Sequence, residues 1–99
     1  MSVKRITNNE FDSAVASGVA LIDFYADWCG PCRMLAPTVE EVAAERPDVL
    51  VAKVNVDSES ELARRFGIFS IPTLVVLKDG KESSRAVGVR SLEQILDML

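Results

Sequence analysis

Apolar runs of strand length alternate along this chain with stretches in which apolar residues return every three or four positions. The strand-like runs fall near Val3–Ile6 and at Ala20–Ala26, Val49–Val56, Thr73–Lys78 and Lys81–Val87. The second and third are nearly unbroken in apolar residues, as expected of strands covered on both faces. Asp79-Gly80 joins the last two, and this dipeptide predicts a two-residue type I′ hairpin.

Between the runs, three helix starts carry the same signature: Thr7 with Glu10, Ser58 with Glu61, and Ser91 with Gln94. In each, a hydroxyl and a side chain three residues on can satisfy helical N–H groups that lack an intrahelical partner. Gly18 and Gly67 are the expected stops of the first two, since glycine adopts the left-handed conformation with least strain. A longer helix is predicted after Pro31, with Leu35, Val39, Val42 and Ala43 on one face, a kink at Pro37 and an end at Pro47. The order is β-α-β-α-β-α-β-β-α. Strands separated by helices are expected to pair parallel through right-handed crossovers, and the hairpin strands antiparallel. The prediction is one α/β domain over residues 1–99, a mixed central sheet with helices on both faces. The Met and Phe residues are assigned to its core.

Composition narrows the function more than the fold. Eleven Lys and Arg against fifteen Asp and Glu leave a formal net charge of −4, with no basic cluster, so neither nucleic acid nor an anionic membrane is an expected partner. The chain has no histidine, which excludes Ser-His-Asp triads, Cys-His dyads and histidine-held metals. Two cysteines cannot complete a four-cysteine zinc or iron–sulfur site within one chain, and no metal is expected. The opening Met1-Ser2-Val3-Lys4-Arg5 does not lead into an apolar stretch, and no run is long enough for a membrane span. The expected compartment is the cytoplasm, where a cysteine pair is catalytic or metal-binding more often than a structural staple.

Trp28-Cys29-Gly30-Pro31-Cys32 directly follows a predicted strand and opens the long helix. Sites in open α/β sheets form beyond the carboxyl ends of strands. Residues three apart on a helix bring their Cβ atoms to about 5–6 Å, close enough for small rotamer changes to form or release a disulfide. Cys29 is expected at the helix N-terminus, exposed, with unpaired N–H groups and the macrodipole favouring its thiolate. It is the expected nucleophile and Cys32 the resolving thiol. Pro31 stiffens the loop at a position that needs no N–H donor. Half of a metal site shared between two copies, or two buried structural cysteines, are the readings against which redox chemistry is weighed. Asp23 interrupts an apolar strand on the face of Leu21 and Tyr25, and periodicity alone leaves it either solvent-facing or buried and neutralised.

Together with the stretch Val19–Pro37, the segments Val51-Ala52-Lys53-Val54-Asn55-Val56-Asp57 and Gly67-Ile68-Phe69-Ser70-Ile71-Pro72-Thr73, then Asp79-Gly80 and Gly88, resemble the thioredoxin family in its own order over nearly the whole chain. The resemblance implies the thioredoxin fold and reduction of protein disulfides through a Cys29–Cys32 dithiol, with no cofactor. It further implies that a thioredoxin reductase recycles a monomeric protein whose partners are disulfide-containing proteins. It places Asp23 beneath Cys32 as a proton relay with Lys53 nearby, although a strand lysine also commonly just reaches solvent. It implies a cis bond before Pro72 and a substrate surface made by Trp28, Gly30, Pro31, Ile71, Pro72 and Gly88. Departures from the commonest family pattern are Tyr25, Asp27, Arg33 and Ser70, where tryptophan, glutamate, lysine and glycine are frequent; they bear on partner choice more than on chemistry. An oxidase or isomerase on the same scaffold, and a binding module using the Trp28, Ile71 and Gly88 surface without turnover, are the competing functions. A reduction potential separates the first from a reductase, and a double cysteine-to-serine variant separates the second.

Overall fold

A computed structural model describes residues 3–99 of the chain. Its elements are β1 (Lys4–Arg5), α1 (Asn8–Ala14), β2 (Val19–Tyr25), α2 (Gly30–Glu45), β3 (Leu50–Asn55), α3 (Ser60–Arg65), β4 (Thr73–Lys78), β5 (Lys81–Val87) and α4 (Leu92–Met98). The strands form one sheet in the order β1-β3-β2-β4-β5, with β2 at its centre. Alternation along β2 sends Ala20, Ile22 and Phe24 to a core shared with Phe11 of α1 and Leu62 of α3. Leu21 turns to the opposite core, where it meets Leu35, Val39 and Val42 of α2 and Ile95 of α4. Helices therefore cover both faces, and each fully buried Leu, Ile, Val or Phe contributes about 1.5–3 kcal/mol relative to exposure. On the first face, the Phe66 ring packs 5.4 Å from Phe11 and 5.6 Å from Phe24, centroid to centroid.

Three local expectations are met by backbone geometry. Asp79 and Gly80 both have positive φ, 52° and 83°, the type I′ combination. At Gly67 the chain closes α3 with a Schellman motif, the Gly67 N–H donating to the Arg64 carbonyl and the Ile68 N–H to that of Ala63. At Ser91 the hydroxyl accepts the Gln94 N–H while the Gln94 side chain accepts the Ser91 N–H, starting α4.

Three others are corrected. Gly18 does not end α1, which stops at Ala14; it shapes the entry to β2, exchanging hydrogen bonds with Asp79 through its N–H and its carbonyl. Ser58 does not cap α3: the Asn55 side chain accepts the N–H groups of Asp57 and Ser58 in the turn before it, Glu59 takes the N-cap position, and the helix begins only at Ser60. Finally, β1 and β2 run parallel to β3, but β4 runs antiparallel to β2 although a helix separates it from β3. The chain re-enters at the end of the sheet it left, with Thr73 beside Phe24.

Candidate functional site

The carboxyl end of β2, the central strand, delivers the site. Past Tyr25 the chain turns through Asp27 and Trp28, and Cys29 becomes the N-cap of α2 with extended backbone. Its Sγ accepts the Cys32 N–H at 3.2 Å, so a sulfur takes the place usually held by a capping hydroxyl or carboxylate. Pro31 occupies the first turn, where a missing N–H costs nothing. Cys29 and Cys32 form a disulfide with Cα atoms 5.3 Å apart.

Both cysteines are only 4 % exposed. The expectation that Cys29 is the exposed member therefore does not hold in this oxidised form, because Ala26, Tyr25, Val56 and Ile71 pack around the pair. What separates the two sulfurs is polarity: Cys29 Sγ has the helix N–H, whereas Cys32 lines a cavity of about 220 Å³ together with Asp23, Tyr25, Arg33 and Lys53.

Asp23 is buried, at 4 % exposure, and its Oδ1 has no hydrogen-bond partner. Burial pushes its carboxyl up to about 7, opposed by the positive charge of Lys53. Lys53 is its register partner on β3, half-buried, with its Nζ 5.4 Å from the centre of the Tyr25 ring. The structure thus resolves the ambiguity of strand alternation in favour of a covered carboxylate that opens onto the cavity beside Cys32.

The loop before β4 closes the other side. The Ile71–Pro72 bond is cis, and the Ile71 carbonyl oxygen lies 3.9 Å from Cys29 Sγ. Gly88, at φ +96°, donates its N–H to the Pro72 carbonyl, which joins the end of β5 to this loop. Gly30 and Pro31 follow Cys29 directly in the first turn of α2, and the Trp28 ring stands 68 % exposed on the approach.

One residue escaped the sequence reading, and two others lie where it did not place them. Asp57 accepts a hydrogen bond from the Trp28 indole at 2.8 Å and anchors the ring; its position just past the end of β3, at the same edge of the sheet, was the available signal. Phe69 is 97 % exposed and Met34 71 % exposed, against their assignment to the core. Met34 lies off the Leu35/Val39/Val42 stripe of α2, and Phe69 sits in a loop where periodicity carries no information. Among the described residues no cluster of three His, Cys, Asp or Glu side chains could hold a metal ion, and no helix is long and apolar enough to cross a membrane.

Comparison with known proteins agrees with this geometry. The Thioredoxin family model matches residues 2–99. A thioredoxin of Chlamydia pneumoniae is 47% identical over 97 residues, covering 98% of this chain and 95% of that protein. A thioredoxin of Staphylococcus aureus is 43% identical over 102 residues, covering 100% of this chain and 96% of the relative. Among solved structures, a mutant thioredoxin from Halobacterium salinarum NRC-1 superposes with a TM-score of 0.89 at 39% identity, covering 98% of this chain and 87% of that one. With the CxxC disulfide at the end of the central strand, these matches establish that the chain belongs to the thioredoxin family and is a thiol–disulfide oxidoreductase that reduces protein disulfides through its own cysteines, without a cofactor.

Proposed function

We propose that Cys29 is the attacking thiol, Cys32 the resolving thiol, and Asp23 the group that takes the Cys32 proton, with Lys53 setting the charge beside it. The observation that carries this assignment is the Cys32 N–H directed at Cys29 Sγ at the N-terminus of a 16-residue helix, where a thiolate gains both a hydrogen bond and the macrodipole. The Cys29 thiolate attacks one sulfur of a substrate disulfide, forms a mixed disulfide and expels the other sulfur as a thiolate. Cys32 then gives its proton to Asp23 and attacks Cys29 Sγ, releasing the second substrate thiolate and closing Cys29–Cys32. Two electrons pass to the substrate, and a thioredoxin reductase returns them to the protein.

Substrate contacts fall to Trp28, Gly30, Pro31, Ile71, Pro72 and Gly88, with the exposed Phe69 ring extending the apolar surface. Among the described residues Ile71 makes no backbone hydrogen bond, which suits pairing with an extended segment around the substrate cysteine. We place the protein in the cytoplasm as a monomer, reduced by its reductase and acting on disulfide-containing proteins. Its acidic charge is in keeping with neither nucleic acid nor membrane as a partner.

Brief iodoacetamide treatment of the reduced protein at mildly acidic pH, followed by peptide mapping, is expected to label Cys29 well before Cys32. Equal labelling, or preference for Cys32, would reverse the two roles.

A further inference from the structure

The cavity beside Cys32 contains an unpaired couple. Asp23 and Lys53 face each other across β2 and β3 in register, yet the ion pairs among the described residues are Arg46–Asp48, Arg65–Asp12 and Arg85–Glu82, and Asp23 Oδ1 accepts nothing. An ammonium beside a buried carboxylate would ordinarily close onto it, because opposite charges attract more strongly where water is scarce. Here Lys53 Nζ instead lies over the Tyr25 ring, 5.4 Å from its centre, within range of a cation–π contact.

We propose that Tyr25 is a positioning residue of this site: its ring face holds the Lys53 ammonium at the mouth of the cavity and off the Asp23 carboxylate. This deepens, and rests on, the reading of Asp23 as the acceptor of the Cys32 proton. The other groups facing Asp23 do not substitute for Lys53. Arg33 of α2 is committed to the Asp27 carbonyl at 2.8 Å, Cys32 is neutral as a disulfide or thiol, Asp27 is a second acid at the cavity wall, and β4 opposes Asp23 with Leu74.

The chemical consequence concerns base strength. A lysine seated on Asp23 would favour its ionised form and weaken it as a proton acceptor, whereas a lysine held on the ring leaves burial in control and the carboxyl poised near neutrality. A cation–π contact is enough to bias a half-buried lysine between two rotamers.

Carbon-detected NMR titration of the Asp23 carboxyl in the full-length oxidised protein tests this. Tyr25→Phe keeps the ring face and is expected to leave the titration midpoint in place, while Tyr25→Leu lowers it by about half a pH unit, the equivalent of the lost contact. In a Lys53→Met background, Tyr25→Leu is expected to cause no drop. A drop of the same size in that background, or none in either, overturns the proposal. If Tyr25→Leu does not fold, the parent decides: the Lys53 ε-protons should be shifted upfield by the ring current and remain so in Tyr25→Phe, and random-coil positions overturn the placement. Should the midpoint move as expected while the pH profile of substrate release stays fixed, the role of Asp23 as base fails and the role of Tyr25 stands.

Discussion

Changing Asp23 to alanine is expected to stabilise the protein by about 2–4 kcal/mol at pH 8 and to give no gain at pH 4. In the folded chain the carboxyl sits at about 7, raised by burial, against 3.8 for a free aspartate. Below pH 4 both the folded and unfolded states hold the proton, and the residue costs nothing electrostatically. As pH rises from about 4 to about 7 the unfolded chain ionises and the folded one does not, so stability falls by about 1.4 kcal/mol for each pH unit, and the full penalty persists above 7. Alanine removes that penalty. Little packing is lost with it, because Asp23 Oδ1 has no partner and its side chain already borders a cavity. The same variant should release substrate more slowly, most of all at pH values where Cys32 would otherwise remain protonated. Urea melts across pH 4–8 measure the first half and stopped-flow exchange the second. A stability difference independent of pH, with unchanged release, would contradict the account.

Cys29→Ser is expected to abolish disulfide reduction while leaving the fold intact. Serine is among the most favourable N-cap residues, so the Cys32 N–H that now meets Cys29 Sγ gains a hydroxyl acceptor and α2 keeps its cap. The hydroxyl has no nucleophilic reactivity toward a disulfide at neutral pH, and on the proposed assignment Cys32 only resolves the mixed disulfide that Cys29 forms. Insulin-disulfide reduction should fall to the uncatalysed rate, and thermal stability should match that of the reduced parent. Activity retained within tenfold would transfer the attack to Cys32.

Much of the fold was legible because its signals are local. Asp79-Gly80, Gly67, Ser91 with Gln94, and the Cys29–Pro31 helix start each act within four or five residues, and each gives the geometry its chemistry demands. Failures came where two local signals compete or where the answer is set elsewhere in the fold. Ser58 could cap the helix from its own position, but the Asn55 side chain turns the chain at Asp57 and Ser58, and nothing in the pattern says that the helix then starts two residues later. The direction of β4 depends on which end of the sheet the chain re-enters, and that is set by how the loops on either side of α3 pack.

The site divides in the same way. The cysteines and their helix cap follow from adjacent residues, whereas the burial of Asp23 needs α2 and β3 in place, and the Trp28–Asp57 hydrogen bond spans 29 residues. Phe69 shows the reverse error, since an aromatic residue in a loop carries no periodic sign of which way it faces.

The assignment of Cys29 as attacking and Cys32 as resolving sulfur is tested most directly by trapping. Reduced Cys32→Ser protein mixed with a disulfide-containing protein should accumulate a covalent complex, because the first exchange proceeds and no second thiol of this chain remains to resolve it. Non-reducing peptide mapping of that complex is expected to find the substrate cysteine joined to Cys29, and the complex should be released by added dithiol. Absence of a complex, or a stable complex formed through Cys32 in the Cys29→Ser protein instead, would contradict the mechanism.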